Sequence, residues 1–378
     1  MSPSDSTDAL LRDAATDFLS RRTHRGRLRG WIEKARGLDR VLWQEASALG
    51  WTALLLPEGL GGLGMSASEA CTLCEVSGQH LFGEPLALGA IWPAALLAAA
   101  QRHGADEHRL LALADAHAQG LRPSAVAWQE AAGQLELAAP TTHVTGGRLA
   151  GRKRFVLPCD SDTNLLVWAC VGDQPAWVWV SASTPGVSVS PVAAGLGSQA
   201  TMTFENVTID TSQILLTGAA ARASLDESLT LARLALAAEL IGLAAGCLEL
   251  TLIHLRQRQQ FGRPLGSFQA TQHGCVDLYL ALELARSSLA HALSVWSIQG
   301  PQAPETDAAA CAAKARAGET AVLVGRRAVQ WHGAMGFCEE SDVGLYLRAA
   351  LHANALLGHP VALRRRFAAL HHERELAA

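Results

Sequence analysis

The segment "RQRQQFGRPLGSFQ", Arg256 to Gln269, crowds arginines against a Phe-Gly-x-Pro break between two long stretches of helical apolar spacing. A guanidinium hydrogen-bonds phosphate oxygens in a fixed fork, and Arg258 stands at the edge of the turn where such a fork has room. Gly262 relieves the backbone there, and Pro264 forbids the helix from continuing. Further on, "HGAMG", His332 to Gly336, offers small residues beside which a pyrophosphate can approach backbone N–H groups. A third glycine run, "GLGGLG" from Gly59 to Gly64, satisfies G-x-G-x-x-G. It lacks the strand–turn–helix context of a dinucleotide fingerprint: Pro57-Glu58 separates it from the apolar run before it, and no second strand follows. It reads as a loop joining two helices.

The elements that must position these residues fall into three zones. From about Asp8 to Gly104 the apolar residues recur at helical spacing, as in "LDRVLWQEASALGW". From about Arg122 to Leu216 short β-branched or aromatic runs ("LELAAPTTHVTGGRLAGRKRFVLP", "NLLVWACV", "AWVWVSAS") are punctuated by Gly, Pro, Asn and Asp, the pattern of an antiparallel barrel or sandwich. From about Leu225 four long amphipathic helical patterns joined by short breaks imply an antiparallel bundle. The expected organisation is an α+β multidomain chain: a helical domain over 1–120, a β domain over 121–224 and a helical bundle over 225–378.

The 378 residues carry a net charge of −4 and no long basic run, which argues against nucleic acid as a partner. Eight cysteines show no CxxC pair, so neither a zinc site nor a disulfide framework is expected, and free thiols in a reducing cytoplasm are the plain reading. "MSPSDSTDALLRD" has no basic stretch leading into an apolar one, so no signal peptide is expected. The apolar runs read as interrupted short of the ~20 residues of a membrane span, so no membrane partner is expected. The tail "HHEREL" reads as a solvated helix end.

"RQQFGRPLGSFQATQH", Arg258 to His273, closely resembles the R-x-x-F-G-x-P-(I/L)-x-x-F-Q segment of the acyl-CoA dehydrogenase flavoprotein family. "QWHGAMGFCEESDVGLYLRAA", Gln330 to Ala350, looks like the family's Q-x-x-G-G-x-G-(F/Y) loop and the helix after it, and "PEGLGGLG" is similar to its P-E-x-x-G-G-x-G turn. The resemblance covers essentially the whole chain, and the helical, β, helical order is also the family's. It implies FAD as cofactor, an acyl-CoA as substrate and an electron-accepting flavoprotein as acceptor. In the family these segments reach the FAD of the neighbouring subunit. Carried over by motif, the cofactor-binding residues are Arg258, Phe261, Gln330, Gly333 and Ala334, the last standing where the second Gly is usual. A histidine in His332's place is expected to touch the diphosphate region or a neighbouring helix.

The chemistry that the resemblance implies needs a carboxylate base for the α-proton and hydrogen bonds aimed at the flavin. The usual base position counts to Leu357, in "ALLGHP", and the alternative position falls near Ala232; neither is an acid. Arg233, next to it, does match a family residue. In the β zone, Gln129 replaces a Thr, and Phe155 and Leu157 stand where Trp and Thr would. Glu239, seven residues beyond Ala232, faces a similar direction about 10 Å further along the axis; its ordinary reading is a buried, hydrogen-bonded Glu. Glu339 and Glu340, after the glycine loop, read as solvated or interface charges.

The losses are one-sided. Residues that a subunit extends to its neighbour's flavin are kept, and residues that build its own flavin and base site are gone. The sequence is therefore expected to resemble the small subunits of two-component bacterial acyl-CoA dehydrogenases of steroid side-chain and dicarboxylic-acid degradation, completing the FAD site of a catalytic subunit in an α2β2-type hetero-oligomer. The alternatives are a self-sufficient dehydrogenase with Glu239 as base, and a flavin-free scaffold of the same fold. No metal ligand is expected.

Overall fold

The computed structural model describes residues 3–23, 25–33, 37–135 and 139–377. Six helices come first: α1 (Pro3–Arg22), α2 (Arg25–Glu33), α3 (Arg40–Ala48), α4 (Ala67–Gln79), α5 (Trp92–Arg102) and α6 (Glu107–Ala118). Eight strands follow: β1 (Ser124–Ala127), β2 (His143–Thr145), β3 (Arg148–Val156), β4 (Asn164–Val171), β5 (Gln174–Ser181), β6 (Val187–Ala194), β7 (Gly197–Thr208) and β8 (Ile214–Thr217). Then come α7 (Gly218–Gln257), the two-residue strands β9 (Gln259–Gln260) and β10 (Arg263–Pro264), α8 (Gln269–Gln299), α9 (Pro304–His332), α10 (Asp342–Ala355) and α11 (Pro360–Ala377). The strand expected from Leu135 falls partly on residues 136–138, outside the described residues, as do the side chains of the tail from residue 373 onward. The chain forms two compact units, one of Gly30–Ala70 and Glu84–Ala232, the other of Met1–Arg29, Cys71–Gly83 and Arg233–Ala378.

The first unit holds the β-sheet, in the order β6-β7-β3-β2-β4-β5-β8 with β1 paired to β4. Of the expected antiparallel barrel or sandwich, a closed barrel does not form among the described residues, where the path stays open; the mostly antiparallel sheet is consistent with the sandwich. β1 and β2 both run parallel to β4. β4 is buried along its first six residues, which is why "NLLVWACV" reads as a continuous apolar run and not as an alternation. Leu149, Val167, Val178, Met202 and Phe204 stand in its core.

The second unit is built around α7. Gly242 and Gly246 on α7 and Gly78 on α4 let the two backbones touch: a Cβ on Gly242 would stand 1.9 Å from the Glu75 carbonyl oxygen, and one on Gly78 2.2 Å from that of Glu239. Tyr346 of α10 closes over the same place, donating its hydroxyl to the Gln79 carbonyl at 2.7 Å. α7 is long and apolar enough to cross a membrane by length and composition, contrary to the expectation of short interrupted runs, yet two thirds of its most apolar stretch is buried inside the protein. Its unbroken apolar character follows from being packed on most of its faces.

The "GLGGLG" run lies between α3 and α4, with a short 3-10 turn over Glu58–Leu60 and left-handed Gly61 and Gly64. A Cβ on Gly62 would collide with the Leu56 carbonyl oxygen at 2.0 Å, so the close approach there is to the chain's own backbone.

Candidate flavin clamp and base position

α7 ends one residue before Arg258, whose N–H still donates to the His254 carbonyl at 2.8 Å. β9 and β10 then form a minimal hairpin in which Gln260 pairs with Arg263 and Gln259 with Pro264. The two residues between them, Phe261 and Gly262, have φ of 54° and 77°. Positive φ at both central residues is the signature of a type I′ hairpin turn. Glycine takes it freely; Phe261 holds it against a cost of about 1–3 kcal/mol, a strain that marks functional positions more often than ordinary turns. The base of the hairpin is fixed by Phe268, which meets Phe261 edge-on at 6.2 Å and lies 4.0 Å under the Arg263 guanidinium. Phe261 itself is 89% exposed. Arg258 is exposed too, and among the described residues its guanidinium has no hydrogen bond or ion pair.

The glycine loop starts where α9 stops. Gly333 has φ 62° and open space at its Cβ position, and a 3-10 turn runs over Gly333–Phe337. Gly336 is the constrained one, since a Cβ there would stand 2.4 Å from the Val329 carbonyl oxygen. Gln330, Gly333 and Ala334 are exposed, as are Met335 and Phe337, at 61% and 80%. His332 and His254 bring the two segments together: their rings stack with centroids 4.0 Å apart. Glu339 and Glu340 are exposed side chains whose carbonyls accept from Arg29 of α2.

At the base position Leu357 is 3% exposed and left-handed, with φ 53°. Its carbonyl lies 3.4 Å from Arg233 Nε. Arg233 is itself buried, pairs with Asp307 at 2.7 Å and leaves Nη2 without a partner; Arg366 holds the other carboxylate oxygen of Asp307. Lys314, fully buried on α9, completes the surroundings. Ala232, the alternative base position, is also fully buried. Both places for an acid are thus filled by apolar side chains, and the Leu357 turn is held by cations.

Glu239 is half-buried on α7. The expected hydrogen bond is absent: among the described residues no group donates to its carboxyl. Burial without a donor pushes its pKa up to about 7. It acts on the buried Cys74 thiol of α4, whose pKa is raised by burial first and by Cys71 and Glu239 after it.

In the sheet unit the residues that stand at the expected flavin contacts have neighbours of their own within the unit. The Gln129 amide donates to the Gln134 carbonyl at 3.1 Å, closing its own loop. Phe155 is left-handed, with φ 58°, under the Arg154 guanidinium. Between them Lys153, wholly buried, bonds Glu130 at 2.6 Å, and Glu130 also takes the N–H and hydroxyl of Thr141 and Thr142. Although burial opposes it, this set of donors, Lys153 foremost, holds the Glu130 carboxyl down at about 2; burial lowers Lys153 to about 8 against the pull of Glu130. Sequence reasoning had no signal for this pair beyond the alternation of β3, which puts a lysine at an inward position. Among the described residues no group of three His, Cys, Asp or Glu side chains is placed to hold a metal.

A helical bundle with a guanidinium–aromatic hairpin beside a glycine loop, following a helical and a β region, defines the class: the chain belongs to the acyl-CoA dehydrogenase family, FAD-dependent oxidoreductases acting on acyl-CoA thioesters. Residues 5–139 match the acyl-CoA dehydrogenase N-terminal domain and residues 222–368 the C-terminal domain. Acyl-CoA dehydrogenase IpdE2 of Mycobacterium tuberculosis is 29% identical over 362 residues, 94% of this chain and 95% of that protein. A variant of the Tcur3481-Tcur3483 steroid ACAD is 30% identical with a TM-score of 0.83, over 98% of this chain and 99% of that one. The ChsE4-ChsE5 complex from Mycobacterium tuberculosis is 25% identical with a TM-score of 0.82, over 98% and 97%.

The residues present fit FAD on one side only. The clamp side is free, exposed and rich in donors. The β side offers Phe155 and Leu157, which have no polar side-chain atom, and Gln129, whose amide nitrogen is already bonded to the Gln134 carbonyl.

Proposed function

We propose that this chain is the subunit of a heteromeric acyl-CoA dehydrogenase that completes the FAD site of a catalytic partner and supplies no base of its own. The observation that carries this reading is the exposure of the whole clamp. Arg258, Phe261, Gln330, Gly333 and Ala334 all face solvent, while both expected acid positions are buried Leu357 and Ala232. A strained, 89%-exposed Phe261 beside an unpaired guanidinium is costly in a chain with nothing to hold. Two of the similar solved structures are two-component assemblies by name, which supports the same reading. Bound FAD would supply the acceptor for the β-hydride of the acyl-CoA; the partner would supply the carboxylate, and this chain's Arg258 and glycine loop would hold the dinucleotide. The substrate class is an acyl-CoA of steroid side-chain or fatty-acid β-oxidation, the electron acceptor is a second flavoprotein, and the complex is an α2β2 assembly in the cytoplasm.

The test is purification of the chain alone and together with any homologue encoded beside it, followed by flavin absorbance. The lone chain is expected to hold little FAD and to show no acyl-CoA-driven bleaching, and the complex to show both. Full flavin and bleaching in the lone chain would overturn the reading.

One observation favours a second reading, the self-sufficient enzyme. An undonated carboxyl brought to about 7, like Glu239, is poised for general-base work near neutral pH. If the lone chain is active, Glu239→Gln decides: activity that survives it removes Glu239 from the chemistry.

A further inference from the structure

His254 and His332 belong to the two segments that make the clamp. His254 lies one helical turn before Arg258 on α7, and His332 is the last residue of α9, directly before Gly333. Their rings are nearly parallel, at 22° and 4.0 Å. Each ring has one nitrogen already committed. His332 Nδ1 is 2.9 Å from the Ala328 carbonyl oxygen, and a carbonyl only accepts, so that nitrogen carries its proton. For His254 the backbone of Trp331 acts in the same sense, favouring a proton on the ring nitrogen that faces it. The second nitrogen of each neutral ring is therefore a bare acceptor. A phosphate oxygen is also an acceptor, so it gains nothing from either ring until a proton arrives; once protonated, that nitrogen becomes a charged donor.

Resting on the reading of this chain as a flavin clamp, we infer that the His254–His332 stack is a proton-linked extension of that clamp: capture of the dinucleotide's diphosphate by Arg258 and the Gly333 loop takes up a proton on the pair. The charges around the pair fix the sign. The charged and titratable groups that act on His254 are the facing His332 at the end of α9 and Arg258, one residue beyond α7. In the free protein burial, the facing imidazole and Arg258 all hold His254 toward its neutral form. The diphosphate reverses the last of these by adding negative charge beside Arg258. A group whose pKa is higher in the bound than in the free state gives affinity that grows as pH falls through the bound-state pKa and levels off below the free-state one. Each unit of difference is about tenfold in FAD affinity. The stack also braces the hairpin against the glycine loop, so it orders both halves of the clamp before the ligand arrives.

The experiment uses the flavin-stripped complex with its partner subunit and FAD as the probe. Calorimetry in buffers of different ionisation enthalpy near pH 6.5 counts protons taken up on binding, and FAD dissociation constants are followed from pH 8 to pH 6. The expected results are net uptake approaching one proton and affinity that rises several-fold toward pH 6 in wild type. His332→Asn keeps a carbonyl-directed donor, and His254→Tyr keeps an aromatic ring; each is expected to reduce both uptake and pH slope while leaving measurable binding at pH 8. No uptake in wild type, or undiminished uptake in both variants, overturns the inference, and the wild-type measurement decides it even if a variant fails to fold. Arg258→Ala separates the two levels. If Arg258 matters for FAD and no proton is taken up, the clamp stands and the histidine role falls; if Arg258 does not matter, the clamp reading falls and this inference with it.

Discussion

Lys314 Nζ donates to the Gly358 carbonyl at 2.7 Å and to that of Asn354 at the same distance, so a fully buried ammonium on α9 closes the turn that carries Leu357. The last carbonyls of α10 lack helical partners, and a cation there suits the negative end of the helix. The turn at the expected acid position is thus kept in shape with Leu357 in it.

Burial, then Arg233, lowers Lys314 to about 7, with Cys311 acting weakly the other way. In the unfolded chain a lysine titrates near 10.4, so the unfolded state binds more protons between pH 7 and about 10.4, and this residue's contribution to stability rises with pH across that window. Wild type is expected to gain about 1.5 kcal/mol over Lys314→Met between pH 7 and pH 8.5, read as the change in their difference in denaturant unfolding. The comparison is needed because buried thiols such as Cys71 and Cys247, pushed up by burial, oppose the trend in both proteins at higher pH. A pH-independent difference would mean that Lys314 stays charged throughout.

Arg258→Ala is expected to weaken FAD retention by the co-purified complex roughly tenfold to a hundredfold, the loss of a charge-assisted hydrogen bond costing ~1.5–3 kcal/mol. The partner's own residues are untouched by the change. Arg258→Lys keeps the charge and loses the fork, so it recovers part of the loss. The measurement is FAD dissociation at fixed salt. Stability is expected to be unchanged, because the exposed guanidinium has no partner within the chain; an equal FAD affinity would leave the Phe261-Gly262 hairpin as a turn and nothing more.

Gly242→Ala is expected to destabilise the helical unit by about 1–3 kcal/mol or more, since the added methyl meets the Glu75 carbonyl oxygen, backbone that no rotamer change can move. Gly344→Ala, on α10 with open space at its Cβ, is the control and is expected to be neutral or slightly stabilising. Thermal unfolding of the two variants checks the pair. Equal effects would show that α4 and α7 do not cross this closely.

The hairpin and glycine loop of the candidate clamp were legible because their chemistry is local. "RQQFG" and "HGAMG" are contiguous, and Gly262 and Pro264 announce a turn by residue type alone. That the expected acid positions, Leu357 and Ala232, are apolar was legible in the same way, by counting from a motif, and the structure adds that both are buried. The pairing of β1 and β2 parallel to β4 was not, because strand partners are set by long-range packing and "NLLVWACV" carries no alternation to orient it. The His254–His332 stack and the Lys314 tie were equally silent, since each joins residues at least 40 positions apart whose meeting is decided by how α7, α9 and α10 pack. The missing donor to Glu239 is the same kind of fact: the heptad spacing from Ala232 gives the face, and only the fold says what waits there.

Leu357→Glu puts an acid at the expected base position, and its failure is as informative as a success. The new carboxylate enters a buried turn beside Arg233, whose Nη2 has no partner, and Lys314, so it is expected to stay ionised and to be tolerated without unfolding. The left-handed backbone at φ 53° carries Leu and Glu alike, since neither is β-branched. The lone chain is nevertheless expected to show no acyl-CoA-driven bleaching, because Phe155 and Leu157 still offer no hydrogen bond to a flavin and the Gln129 amide stays tied to Gln134. Lys314 should respond instead: a neighbouring negative charge raises its pKa, which flattens the stability difference expected between pH 7 and pH 8.5. Dehydrogenation by the lone Leu357→Glu chain, measured anaerobically with FAD supplied in excess, would show that the chain holds a whole flavin site and needs no partner to complete it.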